Sequence, residues 1–218
     1  MTGLNAHRAE YINPYPYDKI SQALQTVLKL LRRQQTNEKL FVLDSSFNPP
    51  HNAHVQMAMK SGGNVLFLLS TVNADKTLYN YEERIDYLMS LDFPVAICDC
   101  ARFVEKAKLL PPCTFILGYD TLLRFFNPKY YKNMKAELDH FFKEYRLKVF
   151  DRGENSNPMF ERSDLEHALK WKDFVEICEP VGNVSSTHIR SLIQAGKIYE
   201  IKNLVPASVF SILEKRHQ

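Results

Sequence analysis

Residues 40–54 have the sequence LFVLDSSFNPPHNAH and contain the features that most strongly predict the fold. The first four residues form a continuous apolar run, as expected for a strand that is buried in a parallel sheet. The two prolines cannot continue a strand, although one of them can occupy the first position of a helix that starts near His51. A strand followed closely by a helix is the first unit of an α/β fold, and ligands of open parallel sheets bind where the strands end.

The rest of the chain repeats this alternation of apolar runs and amphipathic helical patterns. The further apolar runs are 65–69, 95–97, 114–117, 147–150 and 174–177, and the helical patterns include 81–91, 102–110, 132–145 and 165–171. Such alternation predicts right-handed βαβ units. We therefore predict a Rossmann-like open parallel sheet with helices on both faces, as a single domain over residues 38–218. Residues 1–37 are predicted to form an arm and an amphipathic helix.

The composition argues against several function classes. Only 7 of 218 residues are glycine, and their spacing fits neither a dinucleotide-binding glycine loop nor a P-loop. The net charge of +3 is too small for a nucleic-acid-binding surface, and no apolar run approaches the roughly 18 residues of a membrane span. Without a secretory signal, the four cysteines are expected to be reduced and mostly buried. We expect a cytoplasmic protein that could also enter the nucleus, with no nucleic-acid or membrane partner.

Two histidines, His51 and His54, are three residues apart at the predicted start of the first helix. At this spacing they lie on one helical face, beside backbone N–H groups that favour an anion. Such a pair could hold phosphate oxygens while negative charge develops on them. The alternative is a chance pair of histidines, and a zinc site is less favoured because no third ligand is evident from the spacing.

A second segment, VSSTHIR at residues 184–190, follows the last predicted strand. Its Ser-Ser-Thr run supplies good N-cap residues for a helix. Arg190 is four residues after Ser186 and therefore lies on the face of the first helical turn. Hydroxyls and a guanidinium at a helix start could bind a triphosphate, although the same pattern also describes an ordinary capped surface helix.

Together these segments resemble the two signatures of the nucleotidyltransferase superfamily, and of its nicotinamide mononucleotide adenylyltransferase family in particular. The first signature, G-x-F-x-P-x-[HT]-x-x-H, corresponds to residues 45–54, with matches at Phe47, Pro49, His51 and His54. The second, S-S-T-x-x-R, corresponds to residues 185–190, and the Leu-Val-Pro run at 204–206 follows as in that family. The sequence of residues 42–51 most resembles a fungal, filamentation-linked branch of adenylyltransferase-like proteins. Ser45 stands where the superfamily usually has glycine, so its side chain could narrow the phosphate pocket.

The resemblance implies an enzyme that transfers AMP from ATP to nicotinamide mononucleotide, giving NAD and pyrophosphate, with Mg²⁺ carried in on ATP and no resident metal site. It implies catalytic roles for His51, His54 and Arg190. The implied ATP-binding residues are Ser45, Ser46, Phe47, His54, Asp120, Ser185, Ser186, Thr187 and Arg190. The implied acceptor-binding residues are Asn48, Lys76, Phe103, Tyr130, Tyr131 and Arg152.

Several of these assignments have structural alternatives. Asp120 could cap a helix, Lys76 could be a solvated loop lysine, and Arg152 could form a salt bridge. The three acceptor-site aromatics could instead belong to the core, and the single tryptophan, Trp171, comes too late in the chain to be the expected stacking residue.

Two other functions also fit the sequence. One is adenylyl transfer to another phosphorylated acceptor, such as nicotinate mononucleotide or phosphopantetheine. The other is an ATP-binding or ATP-hydrolysing protein that acts mainly through protein partners, with the N-terminal amphipathic helix as the contact. That helix could equally pack on its own domain.

Overall fold

The structure, a computed structural model, describes residues 39–75, 81–150 and 163–217. Its centre is an all-parallel sheet of six strands in the order β3-β2-β1-β4-β5-β6. The strands are β1 (Leu40–Ser45), β2 (Asn64–Ser70), β3 (Val95–Cys98), β4 (Thr114–Gly118), β5 (Arg146–Phe150) and β6 (Val175–Cys178). All six predicted strands are therefore confirmed, with ends displaced by no more than two residues.

Helices connect the strands. The α-helices are α1 (Asn52–Lys60), α2 (Tyr81–Met89), α3 (Phe103–Ala107), α4 (Tyr119–Phe125), α5 (Met134–Phe141), α6 (Ser186–Gln194) and α7 (Ala207–His217). Short 3₁₀ helices span Pro128–Tyr130 and Ile198–Ile201, and a longer one spans Ser163–Phe174. The helix predicted at 165–171 is thus a 3₁₀ helix. Its buried residues, Leu165, Ala168 and Trp171, recur every third position, which fits three residues per turn.

Alternate residues of β1 point to opposite faces of the sheet, and both faces are covered. Leu40 and Val42 belong to one buried cluster, whereas Phe41 and Leu43 belong to another. The first cluster includes residues of α3 and α5, and the second includes residues of α1 and α2. The predicted arrangement of helices on both faces is confirmed.

The strand order reverses at β1, which lies between β2 on one side and β4 on the other. The crossovers that leave these two strands run to opposite sides, so a crevice opens at their carboxyl ends. Both signature segments are attached to this end of the sheet. None of the helices among the described residues is long and apolar enough to cross a membrane.

Candidate active site

The loop that follows β1 is anchored by a buried aromatic ring. The Phe47 side chain is fully buried and stacks on Phe67, with ring centroids 5.2 Å apart. Its backbone has a φ of 46°, in the left-handed region that a bulky residue seldom adopts. Phe47 was assigned to the ATP-binding set from the resemblance; because its ring lies in the core, only its backbone is left to face a ligand.

Helix α1 begins at Asn52, so the prediction that Pro49 or Pro50 occupies its first position is wrong. His51 is the N-cap residue and has extended backbone, with φ −139° and ψ 170°. The Asn52 N–H, which the sequence suggested would face an anion, donates instead to the Leu204 carbonyl at 2.9 Å. The Leu-Val-Pro segment therefore covers part of the helix start.

The two signature histidines pack against each other. Their ring centroids are 3.8 Å apart and their planes differ by 24°, and each residue is 7% exposed. The His51 N–H donates to Nδ1 of His54 at 3.1 Å. Nε2 of His54 lies 3.1 Å from the hydroxyl of Ser45, the last residue of β1. The predicted pair is thus brought together and oriented by its own loop.

The second signature begins α6 and contacts the first signature directly. Ser185 is the N-cap residue and accepts a hydrogen bond from the His188 N–H at 3.1 Å. The Ser186 hydroxyl donates to the Pro49 carbonyl at 2.8 Å. Residues 137 positions apart in the chain therefore meet at this junction.

Arg190 makes the second link across the junction. Its Nη1 donates to the Asn48 carbonyl at 2.6 Å, and its Nη2 donates to the Thr187 hydroxyl at 3.2 Å. The guanidinium is half-buried and is held between the two signatures. A cation in this position lies beside the Thr187 hydroxyl and the loop that leads from β1 to His51.

A cleft opens beside this junction, at the carboxyl ends of β1 and β2. Its empty volume is about 800 Å³ including the open mouth. The lining residues are Asp44, Ser45, Ser46, Ser70, Val72, Asn73, Ala74, Asp75, Ala101, Arg102, Phe103, Lys106, Thr121, Arg124, Phe125, Tyr130 and Tyr131. We refer to this space as the central cleft.

Three predicted acceptor-binding aromatics line the central cleft: Phe103, Tyr130 and Tyr131. Phe103 also packs edge-on against Phe115 in the core, at 5.3 Å between centroids. The Tyr131 hydroxyl donates to the Phe125 carbonyl, and burial raises the pKa of Tyr131. Phe103 and Tyr131 pack against the buried cluster and therefore serve the core and the cleft together, so for these two residues the alternatives weighed from the sequence are compatible.

Charged side chains in the central cleft are paired. Asp75 accepts hydrogen bonds from the Tyr130 hydroxyl and from Lys129, the latter at 3.1 Å. The Tyr130 hydrogen bond is the main cause that lowers the pKa of Asp75. Arg102 forms ion pairs with Glu105 at 2.7 Å and with Glu137 at 3.3 Å.

Sequence reasoning missed a buried ion pair in the wall of the cleft. Nζ of Lys106 lies 2.6 Å from Oδ2 of Asp44, and the two side chains are only 4% and 9% exposed. The available signal was the carboxylate of Asp44 at the end of an otherwise apolar strand. Nothing local could have identified Lys106 as its partner.

Arg84, on α2, is a further residue of this region, and the structure buries it completely. Its Nη1 donates to the carbonyls of Ser46 and Ser70, at 3.2 Å in each case. Burial lowers the pKa of its guanidinium. Arg84 thereby ties the loop after β1 to the end of β2.

The remaining predicted residues lie elsewhere. Asp120 is exposed in the first turn of α4 and is not among the lining residues of the cleft. Trp171 is buried and stacks on Phe126, with centroids 5.8 Å apart. Lys76 and Arg152, like the predicted arm and helix at 1–37, fall outside the described residues. Within the described ranges, no group of three or more His, Cys, Asp or Glu side chains could hold a metal ion.

Comparison with known proteins adds three findings. The sequence model of the cytidylyltransferase-like family matches residues 42–192. A Schizosaccharomyces pombe protein, provisionally named nicotinamide mononucleotide adenylyltransferase, is 30% identical over 230 residues, covering 90% of this chain and 92% of the relative. Plasmodium falciparum nicotinic acid mononucleotide adenylyltransferase, solved in complex with APC, shares the fold with a TM-score of 0.58. That match has 14% identity and covers 83% of this chain and 96% of the other.

Proposed function

This chain belongs to the cytidylyltransferase-like family of nucleotidyltransferases, and on that premise we propose that it transfers AMP from ATP to nicotinamide mononucleotide. The products would be NAD and pyrophosphate. The acceptor comes from the S. pombe relative, whose provisional name specifies nicotinamide mononucleotide. The aromatic residues of the central cleft support an acceptor with a flat ring.

One observation carries the proposal: Ser45 belongs to both halves of the site. Its hydroxyl contacts His54 within the first signature, which the second signature contacts through Pro49 and Asn48, and Ser45 also lines the central cleft. A nucleoside triphosphate at the junction and a mononucleotide in the cleft would therefore meet next to Ser45 and Ser46. Adenylyl transfer requires this adjacency, because two substrate phosphates must approach each other.

The reaction would be a displacement at the α-phosphorus of ATP. An oxygen of the acceptor 5′-phosphate forms the new P–O bond, and the bond to the β-phosphate oxygen breaks, so pyrophosphate leaves with the electron pair. No protein nucleophile is required, and the rate comes from positioning and charge stabilisation. His51 and His54 would stabilise the charge on the transferring phosphoryl group. Arg190, with Ser186 and Thr187, would hold the β- and γ-phosphates.

The remaining roles concern the ribose, the acceptor and the metal. Mg²⁺ would enter on the phosphate oxygens of ATP, where it neutralises charge. Asp120 is proposed to bind a ribose hydroxyl, and Lys76 and Arg152 to bind phosphate. Phe103 and Tyr130 supply ring surfaces in the central cleft against which a pyridine could pack.

The purified protein should be supplied with Mg-ATP and, in separate reactions, with nicotinamide mononucleotide, nicotinate mononucleotide and phosphopantetheine. The expected result is pyrophosphate together with a pyridine dinucleotide, and no product from phosphopantetheine. Product from phosphopantetheine alone would overturn the proposed acceptor. Release of orthophosphate without any dinucleotide, or bound ATP without turnover, would instead favour a protein that binds or hydrolyses ATP and acts through partners.

A further inference from the structure

The Asp44–Lys106 ion pair lies in the part of the cleft where the ring of the acceptor is proposed to bind. Asp44 ends the apolar part of β1, Lys106 lies on α3, and both line the central cleft. The Ser70 hydroxyl donates to the other carboxylate oxygen of Asp44 at 3.3 Å. Nζ of Lys106 lies 5.0 Å from the centroid of the Phe103 ring, one of the predicted stacking residues. The pair is therefore adjacent to an aromatic surface in the same cleft.

Stability alone is a poor reason for this pair. Burying two charges costs much of what their attraction returns, and apolar replacements of such pairs are often neutral or stabilising. This pair is buried on one side by the core and faces the cleft on the other. Its position is better explained by ligand binding, because the Asp44 carboxylate is a strong hydrogen-bond acceptor and the Lys106 ammonium beside it is a strong donor.

A neutral primary carboxamide is complementary to this pair, because it has both a hydrogen-bond donor and an acceptor. Its N–H group can donate to the Asp44 carboxylate while its carbonyl accepts from the Lys106 ammonium. A ring carboxylate has no donor for Asp44 and would bring a second negative charge beside it. The Lys106 charge cannot compensate fully, since at 2.6 Å it already neutralises Asp44.

The other cations of the cleft are also matched by carboxylates. Arg102 is paired with Glu105 and Glu137, and Arg124 lies 4.0 Å from Asp75. Among the lining residues that the structure describes, no arginine or lysine lacks a carboxylate within 4.0 Å with which a ligand carboxylate would have to compete. This arrangement weakens the binding of a mononucleotide whose ring carries an acidic substituent, and it does not weaken the binding of one whose ring substituent is neutral.

We propose that the Asp44–Lys106 pair makes the central cleft select pyridine mononucleotides whose ring carries a carboxamide over those whose ring carries a carboxylate. This inference rests on the proposed adenylyl transfer. It assigns a specificity role to two residues that neither signature contains.

The test is the ratio of kcat/KM for nicotinamide mononucleotide to that for nicotinate mononucleotide. The wild-type ratio should exceed about 10, the scale of one unfavourable like-charge contact. Asp44→Asn retains the size of the side chain but leaves the Lys106 ammonium without a carboxylate partner. The ratio should therefore fall tenfold or more, in favour of nicotinate mononucleotide. Because that variant also buries an unpaired charge, Asp44→Asn/Lys106→Gln serves as a second variant, in which the ratio should fall toward one.

Asp139→Asn is the matched control. Asp139 also pairs with a lysine, Lys170 at 2.7 Å, but it is not among the residues that line the cleft. Its ratio should remain that of the wild type. A wild-type ratio of one or less would overturn the inference. An unchanged ratio in the double variant, shown to be folded by circular dichroism, would overturn it as well.

Calorimetric binding of each mononucleotide without ATP separates this inference from the proposed function. Tighter binding of the amide without any NAD formation would overturn the function and support the selection. Equal binding of the two mononucleotides, with dinucleotide formed from both, would overturn the selection and support the function. Binding of neither would overturn both.

Discussion

The Ser45 hydroxyl lies 3.1 Å from Nε2 of His54, at the one signature position where this chain departs from the superfamily glycine. Nδ1 of the same ring accepts a hydrogen bond from the His51 N–H. In the neutral imidazole the proton must then be on Nε2, so His54 donates to Ser45. Ser45 therefore occupies the donor that the proposed mechanism assigns to a phosphate oxygen.

Replacing Ser45 with glycine should strengthen ATP binding. Without the hydroxyl, Nε2–H of His54 is available to a phosphate, and the net value of one hydrogen bond, about 0.5–1.5 kcal/mol, corresponds to roughly a 2- to 10-fold lower KM for ATP. Steady-state kinetics with varied ATP provide the measurement. Ser61→Ala, at the opposite end of α1, is the matched control and should leave KM unchanged. A higher KM in Ser45→Gly would contradict the idea of competition.

Loss of the His54 ring should slow the chemical step. In the proposed mechanism the transferring phosphoryl group takes the Nε2–H donor of His54 from Ser45, so His54→Ala removes that donor, and loss of one such donor costs about 10²–10³ in turnover. Pyrophosphate release at saturating substrate measures kcat. His140, an exposed histidine in the last turn of α5, offers the comparison His140→Ala, which should retain wild-type turnover. Equal rates in both variants would remove His54 from the mechanism.

Arg190→Lys should weaken ATP binding even though the charge is retained. A lysine cannot reproduce the fork that contacts the Asn48 carbonyl and the Thr187 hydroxyl together. Charge-assisted hydrogen bonds contribute about 1.5–3 kcal/mol, so kcat/KM for ATP should fall roughly 10- to 150-fold. Arg216→Lys, on α7 beside Glu83 and Asp86, is the control expected to retain activity. An unaltered kcat/KM in Arg190→Lys would show that charge alone suffices.

Stability should decline at alkaline pH because of Cys113. Burial raises the pKa of its thiol from 9.0 to about 12. The folded state therefore favours the neutral thiol, and this contribution is complete below pH 9 and lost as the pH rises toward 12. The free energy of unfolding, measured by urea titration from pH 8 to pH 11, should fall more steeply in the wild type than in Cys113→Ala. Parallel curves for the two proteins would refute this linkage.

The sequence determined the parts of this protein that depend on neighbouring residues. The apolar run of β1 and the N-cap serine of α6 were both identifiable, since burial periodicity and capping are local properties. The Phe47 ring shows where this approach stops: a signature residue was expected at the ligand, but its side chain was needed to anchor the loop in the core. A motif specifies residue types, and burial decides which of their atoms remain exposed.

The tertiary structure alone decided which distant residues meet. Arg190 contacts Asn48 across 142 positions, and Lys106 contacts Asp44 across 62. Such contacts follow from the strand order, which places β1 at the centre of the sheet and brings the crossover helices to its carboxyl end. Local sequence preferences set the helices and strands, whereas long-range packing set the guanidinium of Arg190 against the Asn48 carbonyl and the charge of Lys106 against Asp44.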